Sequence, residues 1–109
     1  MVKIEIPLIF EPLLVKTEDP EGVLEKRKYE ISLKIAEAIF YSIKRKKKKI
    51  MFAEIMVPGD ENVISMTLFE EDYIKSLDEI MPTLIEYEEY EWCAKIMETK
   101  EKFKKSKSS

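Results

Sequence analysis

The start of the chain is rich in branched apolar residues and is interrupted by two prolines. Residues 2–15 read VKIEIPLIFEPLLV, and Pro7 and Pro12 lack the N–H that a central strand needs for its ladder. This pattern predicts an edge strand or two short extended pieces. The next segment, TEDPEG (residues 17–22), has the composition of a type I turn with Pro20 at its second position. We therefore expect a hairpin around this turn.

Two periodicities overlap in the next part of the chain. Every second residue from 29 to 35 is apolar, which is the pattern of a half-buried strand. Every fourth residue from 31 to 43 is isoleucine, which is the pattern of a helix. We expect a strand over about 24–31 and a helix over about 32–47. One long helix from Pro20 is the alternative.

The second half of the chain gives clearer signals. KIMFAEIMV (49–57) and NVISMTLF (62–69) are β-prone runs on either side of PGDE, which predicts a hairpin. Apolar residues at helical spacing follow in residues 70–80 and 83–103. Between them Pro82 is expected to break or bend the chain, because a residue before proline disfavours helical geometry.

These elements predict one α+β domain over residues 1–104. It contains a small antiparallel sheet of two hairpins, one inserted helix, and a C-terminal helical pair over residues 70–104. The small polar residues 105–109 are expected to form a disordered tail. A chain of 109 residues fits a single domain with a modest core.

Composition narrows the classes of protein to which the chain can belong. No window approaches the ~20 apolar residues of a membrane span, and MVKIEIPLIF lacks the features of a secretory signal. Cys93 is the single cysteine, so no internal disulfide can form, as is usual in a reducing compartment. We expect an intracellular, cytoplasmic protein that does not contact a membrane.

The sequence lacks residue types and motifs on which many enzymes depend. The chain has no histidine and only two glycines, which excludes a His/Cys zinc site and a glycine-rich phosphate loop. The carboxylates of Glu88 and Glu91, one helical turn apart, are the remaining route to acid/base chemistry or to a divalent cation. Such pairs are common on helix surfaces, so we expect neither an enzyme nor a cofactor or metal site.

Charge is strongly segregated, although the formal net charge is only −3. Six consecutive basic residues precede residues 50–99, which carry thirteen carboxylates against two lysines. At a helix C-terminus the basic run would complement the negative end of the macrodipole and remain in water. It would also suit an acidic protein surface or a phosphate backbone, although the nearby acidic residues argue against a general affinity for DNA. The candidate charged contacts are Lys44, Arg45, Lys46, Lys47, Lys48 and Lys49.

Aromatic residues cluster within the acidic half. Between Glu70 and Glu91 there are nine acidic residues and one lysine, typical of solvated helix faces or of a surface that imitates a nucleic-acid backbone. At helical spacing the aromatic residues belong to a core or anchor an interface. The candidate interaction residues of this region are Tyr87, Tyr90, Trp92, Ala94 and Ile96.

Residues 85–103, IEYEEYEWCAKIMETKEKF, resemble the second half of the UVR motif. This motif is a short helical hairpin found in an excision-repair helicase subunit, in its nuclease partner and in several adaptor proteins. The matching features are Tyr90-Glu91, the small pair Cys93-Ala94, and Ile96. The chain departs from the family where Met97-Glu98 replaces an Arg-Asp pair. The resemblance implies a contact module that pairs with a similar hairpin, with Tyr90, Ala94 and Ile96 in its packing or interface.

These observations predict a non-enzymatic interaction or adaptor protein that acts through its C-terminal helices. The expected partner is a protein, which includes a second copy of this chain. The first alternative is a small phage or mobile-element protein, either a virion component or an inhibitor of a host factor. The second is a nucleic-acid-binding protein that uses the basic run 44–49.

Overall fold

The computed structural model describes residues 9–107. Within them the chain forms a three-stranded sheet and four α-helices. In chain order the elements are β1 (Leu13–Lys16), α1 (Pro20–Lys26), α2 (Lys28–Arg45), β2 (Lys49–Met56), β3 (Val63–Phe69), a 3-10 turn (Glu70–Asp72), α3 (Tyr73–Glu86) and α4 (Tyr90–Lys107). The extended structure expected for residues 2–8 lies outside the described residues.

The α+β class and the C-terminal helical pair are confirmed, but the sheet is mixed. The strand order is β1-β2-β3, and β2 pairs antiparallel with β3. β1 pairs parallel with β2, with Val15 opposite Ile55. The predicted arrangement of two antiparallel hairpins is therefore wrong. Parallel neighbours need a crossover connection, and here α1 and α2 supply it.

The segment TEDPEG begins a helix rather than closing a turn. Asp19 Oδ1 accepts a hydrogen bond from the Gly22 N–H at 3.0 Å, and Pro20 occupies the first turn of α1. Aspartate at the N-cap followed by proline is a helix-start signal as well as a turn signal. A Cβ atom at position 22 would collide with the Asp19 carboxylate, so glycine leaves room for this cap.

The strand expected over residues 24–31 is also wrong, and the helical alternative is close to the observed structure. Only Arg27 separates α1 from α2. Its guanidinium pairs with the Glu30 carboxylate at 2.6 Å. The next turns of α2 bury Ser32, Ala36 and Ile39. The isoleucines at every fourth position share the buried face of α2, with Ile39 in the main core and Ile31 and Ile35 packed against it, so the helical period prevails over the alternating one.

The second predicted hairpin is confirmed. The Asp60 N–H donates to Val57 O at 3.0 Å, and Gly59 between them has a φ of 87°. Proline followed by a residue of positive φ is the arrangement of a type II turn. The pairing shifts by one residue between Met51 and Ala53, which marks a β-bulge in β2.

Pro82 does not break the C-terminal helices. α3 continues through it to Glu86, so of the predicted break or bend at this residue the break is wrong. Proline removes one backbone hydrogen bond, but its neighbours Ile80, Thr83 and Leu84 are buried and hold both sides of the helix in the core. α4 extends to Lys107 and so includes the first residues of the predicted tail 105–109. Residues 108–109 lie outside the described part of the chain.

The main core lies where the sheet, α2, α3 and α4 meet. Ile39, Leu77, Leu84 and Ile96 are completely buried there. A smaller cluster of Val15, Val23 and Ile55 seals β1 and α1 against β2. Together these contacts hold α2, α3 and α4 against one another beside the sheet.

Candidate functional site

A cleft of about 650 Å³ lies where α2 ends, α3 begins and the second half of α4 passes. We refer to it as the basic cleft. Cavities of this size accommodate small ligands or several side chains of a partner. The cleft is lined by Phe40, Ser42, Ile43, Lys44, Lys46, Lys47, Lys48, Glu70, Tyr73, Lys95, Thr99, Lys102 and Phe103.

The basic run forms one wall of this cleft because α2 ends in the middle of the run. Lys46 adopts a left-handed conformation with φ of 58°. Its N–H donates to Ile43 O at 3.2 Å, and the Lys47 N–H donates to Ser42 O at 2.8 Å. This pair of bonds is a Schellman motif, which closes the helix and turns the chain aside. Lys46 to Lys48 therefore wrap around the helix end, and Lys49 begins β2.

The rim of the cleft has an excess of positive charge. Six lysines line it, against the single carboxylate of Glu70. Among the described residues, Lys44, Lys46, Lys47 and Lys48 form no ion pair with a carboxylate. Unpaired cations at one end of a small domain attract an anionic group by long-range electrostatics.

The two lysines that α4 contributes to the rim are partly neutralised. Glu98 Oε1 lies 3.1 Å from Lys102 Nζ and 4.0 Å from Lys95 Nζ. The hydrogen bond from Lys102 and the charge of both ammonium groups hold the pKa of Glu98 below its usual range. The excess of positive charge therefore resides mainly on the basic run.

The floor of the cleft is apolar. Phe40 is 3% exposed and Tyr73 is 1% exposed, and Ile43 and Phe103 pack beside them. The Tyr73 hydroxyl donates to Lys47 O at 3.1 Å and so ties α3 to the basic run. An apolar floor beneath a cationic rim suits a ligand that carries both apolar groups and negative charge.

Two hydroxyl groups lie within this floor. Burial raises the pKa of the Tyr73 phenol, and the neighbouring Ser42 hydroxyl opposes part of that shift. The two oxygens are neighbours, yet Ser42 Oγ makes no hydrogen bond of acceptable geometry to any described residue.

The predicted aromatic residues divide between the surface and the core. Tyr87 is 52% exposed and Tyr90 is 60% exposed, and Ala94 is also exposed on α4. Trp92 is half-buried, with its ring centroid 5.2 Å from that of Phe40 in an edge-on contact. Ile96 is completely buried. Tyr87, Tyr90 and Ala94 are thus accessible to a partner, whereas Trp92 and Ile96 support α4 from within.

The turn between α3 and α4 lies at the other end of the helical pair. Glu88 has a left-handed φ of 58°, and the Glu89 N–H donates to Leu84 O at 2.8 Å. The Tyr87 ring stacks on Tyr29 of α2, with 4.4 Å between ring centroids. The Tyr29 hydroxyl donates to Glu89 Oε2 at 2.5 Å, and this bond raises the pKa of Tyr29.

Neither metal ligation nor membrane insertion finds positive support in residues 9–107. No group of three or more His, Cys, Asp or Glu side chains converges within that range. None of its helices combines the length and apolarity required to cross a membrane. Comparison of the chain with protein-family models, with curated proteins and with solved structures gives no match.

Proposed function

We propose that this protein is a non-enzymatic adaptor that binds an acidic segment of a protein partner in the basic cleft. The observation that carries the proposal is the cationic rim above the apolar floor of Phe40, Ile43 and Tyr73. Apolar side chains of the partner would gain affinity by leaving water. Carboxylates of the partner would meet the lysines, which set orientation and association rate.

The C-terminal helices take part in this proposal. α4 supplies Lys95, Thr99, Lys102 and Phe103 to the cleft, and α3 supplies Tyr73. A contact module at these helices also agrees with the implication of the UVR-like resemblance. Trp92 and Ile96 act indirectly, because they hold α4 in position against the rest of the domain.

Binding of nucleic acid to the same lysines has less support. Phosphate sites commonly use free backbone N–H groups, often at a helix N-terminus. In this cleft the N–H groups of Lys46 and Lys47 already donate to carbonyl oxygens at the C-terminal end of α2. The apolar floor also suits leucine or aromatic side chains better than a phosphate chain.

A cytoplasmic location is part of the proposal. Cys93 is buried, and burial raises the pKa of its thiol above the usual range. A thiol of this kind is a poor nucleophile and is chemically inert in a reducing compartment.

The proposal is tested by fluorescence anisotropy with short labelled peptides in which glutamates alternate with leucine and phenylalanine. We expect binding that weakens as ionic strength rises, and little binding when glutamine replaces every glutamate. The double variant Lys46→Glu/Lys47→Glu should lose binding. Lys16→Glu/Lys26→Glu is the matched control, because these exposed lysines lie outside the cleft.

Two results would overturn the proposal. The first is equal peptide binding by the wild type and by the cleft variant. The second is tight, salt-sensitive binding of single-stranded DNA without binding of the peptide. That result would show that the cleft binds nucleic acid instead of a protein segment.

A further inference from the structure

We infer that the segment received by the basic cleft is the turn between α3 and α4 of a second copy of this chain, residues 86–91. We refer to these residues as the acidic turn. Copies would then associate head to tail. This inference rests on the proposed function, since it names the partner that supplies the acidic segment.

The acidic turn has the chemistry that the cleft requires. Its sequence is EYEEYE, and Glu86, Glu88 and Glu91 are exposed. These three carboxylates form no ion pair with any residue in the described part of the chain. Both tyrosines are also exposed, Tyr87 to 52% and Tyr90 to 60%. The turn thus presents negative charge and aromatic surface together.

Within one copy of the chain, the acidic turn cannot reach the basic cleft. Tyr73, in the cleft, and Glu86, in the turn, are the two ends of α3, and this helix separates them by about 20 Å. The molecule is elongated, with extents of 48 × 29 × 24 Å. The complementary charges therefore lie at opposite ends of a rigid helix, and only a second molecule can bring them together.

Two other carboxylates of the helical pair, Asp78 and Glu98, are already engaged within the chain. Asp78 pairs with Lys100 across α3 and α4. Glu98 pairs with Lys102 and Lys95. The acidic turn keeps its exposed charges available beside exposed tyrosines, which is why charge complementarity favours it as the occupant.

The predicted interface joins two different surfaces. Each association leaves one cleft and one turn free, so the assembly grows into a ring or an open chain. Because the charges are exposed, the association should weaken as ionic strength rises. This behaviour differs from that of a symmetric dimer, which would stop at two copies.

Sedimentation equilibrium with charge-reversed variants tests the inference. We expect the mass of the wild type to rise with concentration at low ionic strength. The cleft variant Lys46→Glu/Lys47→Glu and the turn variant Glu86→Lys/Glu88→Lys should each remain monomeric alone. A mixture of the two should associate again, because opposite charges then meet at every interface. Lys16→Glu/Lys26→Glu is the control that should associate like the wild type.

Circular dichroism must show that each variant is folded, and Lys44→Glu/Lys48→Glu serves as a second cleft variant if the first is not. A monomeric wild type at every concentration would overturn the inference. A mixture of folded variants that stays monomeric would do the same. If the acidic peptides still bind the cleft in either case, the proposed function stands and the partner is a different acidic protein. If they do not, both proposals fail.

Discussion

Two charged residues occupy backbone positions that usually belong to glycine. Lys46 and Glu88 both have φ of 58°, and each closes a helix at the position where glycine is most frequent. A left-handed conformation costs an L-residue roughly 1–2 kcal/mol relative to the right-handed one. Lys46 lies in the basic cleft and Glu88 in the acidic turn, so each end of the molecule retains a charge where glycine would relieve strain.

Replacing Lys46 with glycine should therefore raise the stability of the fold while it weakens peptide binding. We expect Lys46→Gly to raise the free energy of unfolding by about 0.5–1 kcal/mol, because glycine accepts positive φ without a steric cost. The same variant should bind the acidic peptides less tightly, since it removes one cation from the rim.

Urea denaturation and anisotropy measure these two effects. Glu88→Gly is the matched control, and it should gain similar stability without weakening peptide binding, because Glu88 lies outside the cleft. Lower stability of Lys46→Gly would argue that the lysine side chain contributes to the fold.

The elements differ in how far their local sequence determines them. The β2–β3 hairpin and the C-terminal helices were predictable because Pro58-Gly59 and the spacing of apolar residues give a consistent local signal. Residues 20–31 were not, because Asp19-Pro20 starts a turn or a helix equally well, and the same apolar residues satisfy both periods. These residues lie in the connection between β1 and β2, which pair in parallel although they are distant in sequence. That long-range pairing, which no local pattern reveals, requires a crossover and so favours helix over hairpin.

Only part of the candidate site could be predicted, because contacts between distant parts of the chain bring its residues together. The basic run is evident from the sequence, because its six residues are consecutive. Phe40, Tyr73, Lys95 and Lys102 join it only because α2, α3 and α4 converge, and no local pattern links these positions. The aromatic residues of α4 were visible too, but the spacing alone did not show that Ile96 faces the core and Tyr90 faces solvent.

The two faces of α4 should respond differently to truncation. Ile96→Ala should lower the free energy of unfolding by about 2–5 kcal/mol, because it opens a cavity in the main core. Tyr90→Ala should change it by no more than about 0.5 kcal/mol, because the side chain is exposed. Thermal and urea denaturation measure both values, and similar losses in the two variants would show that α4 is rotated from the orientation described above.

At the scale of the whole molecule, the chain separates its charges along its length. The basic cleft lies at one end of the helical pair and the acidic turn at the other, in a molecule whose net charge is only −3. This separation leaves two surfaces of opposite charge on a small domain. Under the proposed function, electrostatic contacts at these surfaces would set orientation and association rate, and the apolar floor of Phe40 and Tyr73 would supply affinity.

The claim that the basic cleft docks an acidic protein segment is tested most directly by backbone amide chemical shifts during titration with the peptide of alternating glutamate and apolar residues. The account predicts that the largest changes occur at Ile43–Lys48, at Tyr73, and from Lys95 to Phe103. Changes centred on β1 or β3, or no changes at a concentration that saturates anisotropy, would contradict it.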